Sequence, residues 1–185
     1  MGMSLVEEKA TIAACLAGQG EEFRLLVDAY KSQTMAMAMN VLGNRQDAED
    51  VCQEAYIQAY RHLARFDPAR SFRTWILTIL YRRCLDVLKR KRRFRTAFQR
   101  LSHEPALKNK TMDEVPAERG DLARIVQGRL SPKERAAVSL WANEGLNSAE
   151  ISGIIGCSPS TARVCLFNAR RKIKTILEKR DAGAR

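Results

Sequence analysis

Apolar residues recur at every third or fourth position along most of the chain, while the every-second-position alternation of a half-buried strand is almost absent. That pattern predicts an all-α protein. A short helix is expected over Leu5 to Leu16, ending in the turn from Gly18 to Gly20. Phe23, Leu26, Val27, Tyr30, Thr34, Met37, Val41 and Leu42 then form one stripe that closes at Gly43, with Met35 and Met39 flanking it. Ala48, Val51, Cys52, Ala55, Tyr56, Ala59, Tyr60 and Leu63 mark the next helix, from about Asp47 to Leu63. Phe66 to Ser71 reads FDPARS, a turn with Asp-Pro chemistry in which Ser71 is placed to cap the next helix. That third long helix turns Phe72, Trp75, Ile76, Ile79, Leu80, Cys84, Val87 and Leu88 inward, and Arg73, Arg82, Lys89 and Arg90 outward.

From Leu101 to Arg119 two prolines, polar residues and mixed charge break the periodicity, so the chain divides into two small helical domains. The expected boundaries are residues 1–93, a flexible linker over 94–119, and residues 120–185. The second domain opens with a helix around Leu122, Ile125 and Val126. Ser131, Pro132 and Glu134 form a capping box with proline at the first helical position, and Val138, Leu140 and Trp141 carry that helix to Gly145. Asn147 and Glu150 repeat the box. Ile151, Ile154 and Ile155 face one way, Gly156 ends the helix, and Ser158-Pro159 starts the next one. That is helix-turn-helix spacing. The last helix packs Ala162, Leu166, Ala169, Ile173 and Leu177 inward, leaving Ser160, Arg163, Val164, Phe167, Arg170, Arg171 and Lys174 outside. Short hydroxyls and an aromatic near its start, followed by cations, suit a helix end that touches base edges and a stem that grips phosphates. The plainer alternative is a helical hairpin with a solvated basic face. The final KRDAGAR is expected to fray.

Charge narrows the choice. Lys and Arg number 32 against 21 Asp and Glu, a net charge of +11, which favours a polyanionic partner, nucleic acid before a membrane surface. From Arg82 to Arg100 nine bases face one acid, Asp86, with Phe94 and Phe98 interleaved, a composition that can hold a single strand. Against this background the helix beginning near Asp47 stands apart. Asp47, Glu49, Asp50 and Glu54 have no base among them through Tyr60, and Asp47, Asp50 and Glu54 share a face with Gln53 nearby. Acids early in a helix favour its dipole, but that does not account for Glu54. An acidic face on a DNA-binding protein is read as a protein-docking face.

No run of about 18 apolar residues and no basic-then-apolar leader occurs, so neither membrane insertion nor secretion is expected, and the protein is placed in the cytoplasm. Cys15, Cys52, Cys84, Cys157 and Cys165 form no C-x-x-C, and His62 and His103 are the only histidines. No structural metal, disulfide framework or cofactor is expected. Cys52 and Cys84 read as buried thiols, while a redox role stays open for Cys157 or Cys165.

DAEDVCQEAYIQAYRHLARFDPARSFRTWI and LSPKERAAVSLWANEGLNSAEISGIIGCSPSTARVCLFNARRKI together resemble regions 2 and 4 of the sigma-70 family of bacterial transcription initiation factors, in its compact extracytoplasmic-function (ECF) type. The resemblance covers about residues 5–93 and 120–177. It implies a non-enzymatic subunit that binds core RNA polymerase, through the coiled coil of the largest subunit and the flap, and directs it to promoter DNA. Asp47, Asp50, Gln53 and Glu54 fall where the family docks on polymerase. Phe66, Arg70, Ser71, Phe72, Arg73 and Arg82 fall where it captures a flipped base and the melted strand of the minus-ten element. Ser160, Thr161, Arg163 and Phe167 fall where it reads the minus-thirty-five element, with Val164, Arg170, Arg171 and Lys174 on the same outward face. The resemblance also implies an anti-sigma protein as a partner. Three departures bear on specificity: Arg82 where relatives often carry Asn, Val164-Cys165 where a Ser-Arg pair is common, and Asn168 where Arg is common. Two other readings compete. A ligand- or phosphate-controlled helix-turn-helix activator would share the last domain, and a nucleic-acid enzyme could hold Mg²⁺ on the acids between Asp47 and Glu54.

Overall fold

The structure is a computed structural model and describes residues 3–102 and 128–183. Among them there are helices and turns and no strands, as the periodicity predicts. Helix α1 (Leu5–Leu16) starts at a capping box in which the Ser4 hydroxyl accepts from the Glu7 amide and the Glu7 carboxylate accepts from the Ser4 amide. A 3-10 turn (Gly20–Glu22) leads into α2 (Phe23–Leu42), which closes at Gly43 with φ of 74°. Asn44 caps α3 (Arg45–Arg61), and a second 3-10 turn (Leu63–Arg65) precedes the loop to α4 (Phe72–Ser102). The second half contains α5 (Pro132–Glu144), α6 (Ser148–Ile155) and α7 (Pro159–Gly183).

Helices α2, α3 and α4 pack on one another by the predicted stripes: Leu26, Met37, Val41, Ala48, Val51, Ala55, Phe72, Ile76 and Leu80 are all buried. Helices α5, α6 and α7 form the second unit around Ala136, Leu140, Ile151, Ile154, Ala162 and Ala169. The two units are not separate. α5 lies against α2, α6 lies against α4, and the buried apolar residues of both halves join in one cluster.

Several expectations need correction. The α4 helix does not end at residue 94, the expected start of the linker; it runs on to Ser102. Lys, Arg and Leu are good helix formers and no Gly or Pro interrupts them, so a charged tract alone does not stop a helix. Leu77 and Tyr81 lie outside the predicted stripe of α4 yet are about as buried as its best members, each 1% exposed. Tyr60 and Leu177, both predicted inward, are 49% and 39% exposed, Leu177 because α7 outruns the helices it packs on. That helix also continues to Gly183, through most of the expected frayed end. The linker over 103–119 and the helix expected around Leu122, Ile125 and Val126 lie outside the described residues.

Candidate functional site

Three surfaces carry the predicted residues. The first is the acidic face of α3. Asp50, Gln53 and Glu54 are exposed and Asp47 is half-buried, and with Val51, Val87 and Arg90 they line a shallow depression between α3 and α4. The local sequence leaves these acids without partner bases, and the structure supplies one: Lys91, from the continuation of α4, pairs with Asp47. Glu49 pairs with Arg45 at 2.7 Å, and Asp50 accepts a hydrogen bond of 3.1 Å from Gln46. Among the described residues neither Asp50 nor Glu54 has an ion-pair partner. The face therefore offers two carboxylates without an ion-pair partner, beside Val51, Val87 and the Arg90 guanidinium.

The second surface is the turn before α4. Asp67 organises it by accepting from the Ala69 amide at 3.0 Å and, through its carbonyl, from the Arg70 amide at 2.9 Å. Arg70 is exposed and Ser71 half-buried. Phe66 and Phe72 are not available to a ligand in this conformation. Phe72 is 0% exposed and Phe66 9%; the two rings meet edge to face at 5.9 Å, and Phe72 also touches Phe23, Tyr30 and Trp75. They shape the turn from beneath. Arg82 is exposed, whereas the Arg73 guanidinium is held by Glu144 at the end of α5, 2.8 Å from its carbonyl oxygen and 2.9 Å from its carboxylate.

Ser71 takes the predicted cap position of α4, its carbonyl accepting from the Trp75 amide at 3.2 Å, while the first amide of that helix donates to the Glu8 carboxylate of α1, at 2.8 Å from the Phe72 nitrogen. The other Glu8 oxygen accepts from the Tyr30 hydroxyl, and Glu8 is 3% exposed. Burial raises the Tyr30 phenol above its ordinary value, and the neighbouring Glu8 raises it further. Sequence reasoning misses Glu8. The available signal is its place on the same face as Thr11 and Ile12, the other buried residues of α1.

The third surface is the outer face of α7. The capping boxes at Ser131/Glu134 and Asn147/Glu150 form as predicted, and Gly156 ends α6 at φ of 67°. Ser158 then accepts from the Thr161 amide at 3.2 Å, and its hydroxyl lies 2.8 Å from those of both Ser160 and Thr161. Arg163 is exposed, as are Val164 (56%) and Phe167 (65%). Farther along, Arg170 lies over the Trp141 ring at 3.9 Å, Arg171 leans toward Phe167, and Lys174 faces Glu178 at 3.7 Å. Arg170 thus serves the packing of α7 on α5 as well as the cationic face. Beneath, Lys172 bonds both Glu134 oxygens at 2.8 Å. Burial opposes the Glu134 charge, but the bonds from Lys172 and Ser131 outweigh it and hold the carboxyl below its usual range.

Burial pushes the Cys52 and Cys84 thiols up to about 11 and about 12, which leaves them inert at neutral pH, and burial raises Cys165 as well. Among the described residues no His, Cys, Asp and Glu side chains group as metal ligands do, and no helix is long and apolar enough to cross a membrane.

The α3 face, the turn and the α7 face fall inside two stretches that match family profiles: Sigma-70 region 2 over residues 26–94, and Sigma-70, region 4 over residues 128–173. The chain belongs to the sigma-70 family. It is of the ECF type. It is 28% identical over 169 residues to ECF RNA polymerase sigma factor SigE of Mycolicibacterium smegmatis, covering 85% of this chain and 62% of that one. It is 34% identical over 84 residues to ECF RNA polymerase sigma factor SigW of Bacillus subtilis, covering 45% of each. The chain thus spans less than two thirds of the length of these curated relatives. Its fold is that of the sigma factor RpoE solved in complex with the anti-sigma factor NepR from Bartonella quintana, with a TM-score of 0.70 at 19% identity, over 85% of this chain and 98% of that one. The region 2 profile includes the acidic face, the turn and Arg82, and the region 4 profile includes the helix-turn-helix through Ile173. Glu8 lies before the first profile, and Lys174 just after the second.

Proposed function

We propose that this sigma factor recruits core RNA polymerase and confers promoter specificity on it, without catalysis of its own. Asp50, Gln53 and Glu54, with Asp47 behind them, dock on a basic surface of the polymerase, the coiled coil of its largest subunit. Arg70, Ser71, Arg73 and Arg82 line the path of the melted minus-ten strand, over a floor shaped by Phe66 and Phe72. Ser160, Thr161, Arg163, Val164 and Phe167 read the minus-thirty-five duplex, while Arg170, Arg171 and Lys174 hold phosphates. The second domain also meets the flap of the polymerase, and the site of action is the cytoplasm. An anti-sigma protein is the expected regulator, a reading supported by the RpoE–NepR complex whose fold this chain shares.

The observation that carries the reading is the coexistence, in a chain of net charge +11, of an acidic face on α3 whose exposed Asp50 and Glu54 have no ion-pair partner among the described residues with an exposed recognition-helix face on α7. Acids on a cationic DNA-binding protein serve a protein partner. Co-elution with core polymerase lacking any sigma subunit tests it. The wild-type chain should elute with the polymerase in equal amounts and Asp50→Arg should not, while duplex binding by the second domain persists in the variant. Normal polymerase binding by Asp50→Arg would rule out the acidic face as the docking surface.

A further inference from the structure

The outer face of α7 is cationic at its rim and apolar at its centre. Val164 is 56% exposed and Phe167 65%. Apolar residues exposed singly need no explanation, but these two stand three positions apart on one helix, where side chains are neighbours. By helical periodicity Val164 lies nearly opposite the buried stripe of Ala162, Leu166 and Ala169, so it points away from the protein. Helices α5 and α6 pack on α7 through that buried side. Around the pair stand the exposed Ser160, Thr161 and Arg163, and the Arg171 guanidinium lies 6.0 Å from the Phe167 ring. No acid occurs on α7 before Glu178. The rim therefore fits a polyanion. A face that only gripped phosphates would place cations at its centre as well.

We propose that Val164 and Phe167 contact the 5-methyl groups of thymine in the major groove, which makes thymine a required base of the duplex element. The proposal rests on the duplex-reading role given to α7 above and specifies it. The family resemblance does not supply it, because Val164 is a position at which this chain departs from its relatives. The argument is one of matching chemistry. Base pairs present donors, acceptors and one apolar group in the major groove, and that group is the thymine methyl. A valine or phenylalanine set against a donor or acceptor strips it of water and returns no hydrogen bond, which is costly. Cytosine at the same position is therefore disfavoured, since its amino donor would be left without a partner. Three residues rise about 4.5 Å along a helix, and base pairs about 3.4 Å along a duplex. The two side chains thus meet neighbouring base pairs, and the element should carry thymines on adjacent or nearly adjacent pairs.

Deoxyuridine isolates the methyl, because it pairs as thymidine does and keeps the O4 acceptor. A pool of synthetic duplexes with a randomised centre is enriched on the immobilised full-length chain. The enriched duplex is then synthesised with uracil replacing each thymine in turn, and fluorescence anisotropy measures its affinity. Uracil should weaken binding about fourfold at each contacted position, the worth of one methyl group removed from water, and should change nothing elsewhere. Val164→Ala alters an exposed position with the best helix former, so the fold should persist. In that variant one sensitive thymine should become insensitive, and Phe167→Ala should remove the sensitivity of the other. Loss of that coupling distinguishes a contact from general weakening. An enriched element without thymine, equal affinity for thymine and uracil duplexes, or uracil sensitivity that persists in both variants would overturn the methyl contact. A wild-type chain that enriches no sequence would defeat the duplex-reading role itself, whereas an enriched duplex indifferent to uracil would defeat only the contact proposed here.

Discussion

Along α7, Arg163, Val164 and Phe167 stand clear of the protein, whereas at the start of α4 Phe66 and Phe72 are packed beneath the surface and Arg73 is held by a carboxylate from the other half. The first surface is a rigid helix whose side chains already point outward. Duplex recognition needs little more, because a preformed helix presents its residues to base edges without rearrangement. The second is assembled from distant parts. The first amide of its helix is held by Glu8 from α1, its floor is a cluster of rings from α2 and α4, and one of its cations is engaged by α5. Strand capture by such a site depends on supports that duplex reading does not share.

Removing a support separates the two surfaces most sharply. Glu8→Ala leaves the Phe72 amide and the Tyr30 hydroxyl without their buried partner, and at about 1 to 3 kcal/mol for each orphaned group the loss should come to about 3 kcal/mol. Urea denaturation reports that loss. Under conditions where the variant remains folded, binding to a single strand should fall while duplex binding through α7 is unchanged, and equal loss on both would erase the distinction between the surfaces. Glu8→Gln, which keeps an acceptor for the amide, should recover most of it.

A smaller effect is expected on the open surface. Arg163→Ala should weaken binding to a cognate upstream duplex by about 2 kcal/mol with little change in stability, the cost of one good base contact. Fluorescence anisotropy on cognate and scrambled duplexes checks it: selective loss marks a base contact, and an equal loss on every sequence marks a phosphate contact instead.

The smallest effect concerns the bond that holds α7 in place. Glu134 has a native value depressed below the ordinary 4.5, so its contribution is fully present above that value and is lost as pH falls through the native one. Lys172 is more than a third exposed, which limits the pair to about 1 kcal/mol. Stability should be flat from neutrality to about pH 5 and decline below it. Glu134→Gln should flatten that acid limb, and thermal melts of the two chains at pH 4 and pH 7 measure the difference.

The same contrast governs how much the sequence could reveal. The capping boxes, Gly156 and the inward stripe of α7 through Ala169 are local, set by residues three or four apart, and they are legible for that reason. The acidic face of α3 is legible in the same way. Phe72 beside a turn reads equally as ligand contact or as core, and only the rings around it decide. Glu8 and Phe72 are 64 residues apart, Arg73 and Glu144 71, and Asn40 and Ser139 99. Periodicity carries no information at those separations, so the Glu8 carboxylate on the first amide of α4, the Glu144 bond on Arg73 and the burial of Tyr81 emerge only from the fold. The end of α4 is misplaced as well, since the linker expected from residue 94 gives way to a helix that persists to Ser102, where no Gly or Pro interrupts it.

The most direct test of the central claim is transcription from sheared genomic DNA by core polymerase with and without this chain, with the 5′ ends of the products mapped. A promoter-specificity subunit should produce new start sites that appear only with the chain and share two upstream elements at a fixed spacing. Start sites indistinguishable from those of core polymerase alone, under conditions where the chain is bound to it, would contradict that role.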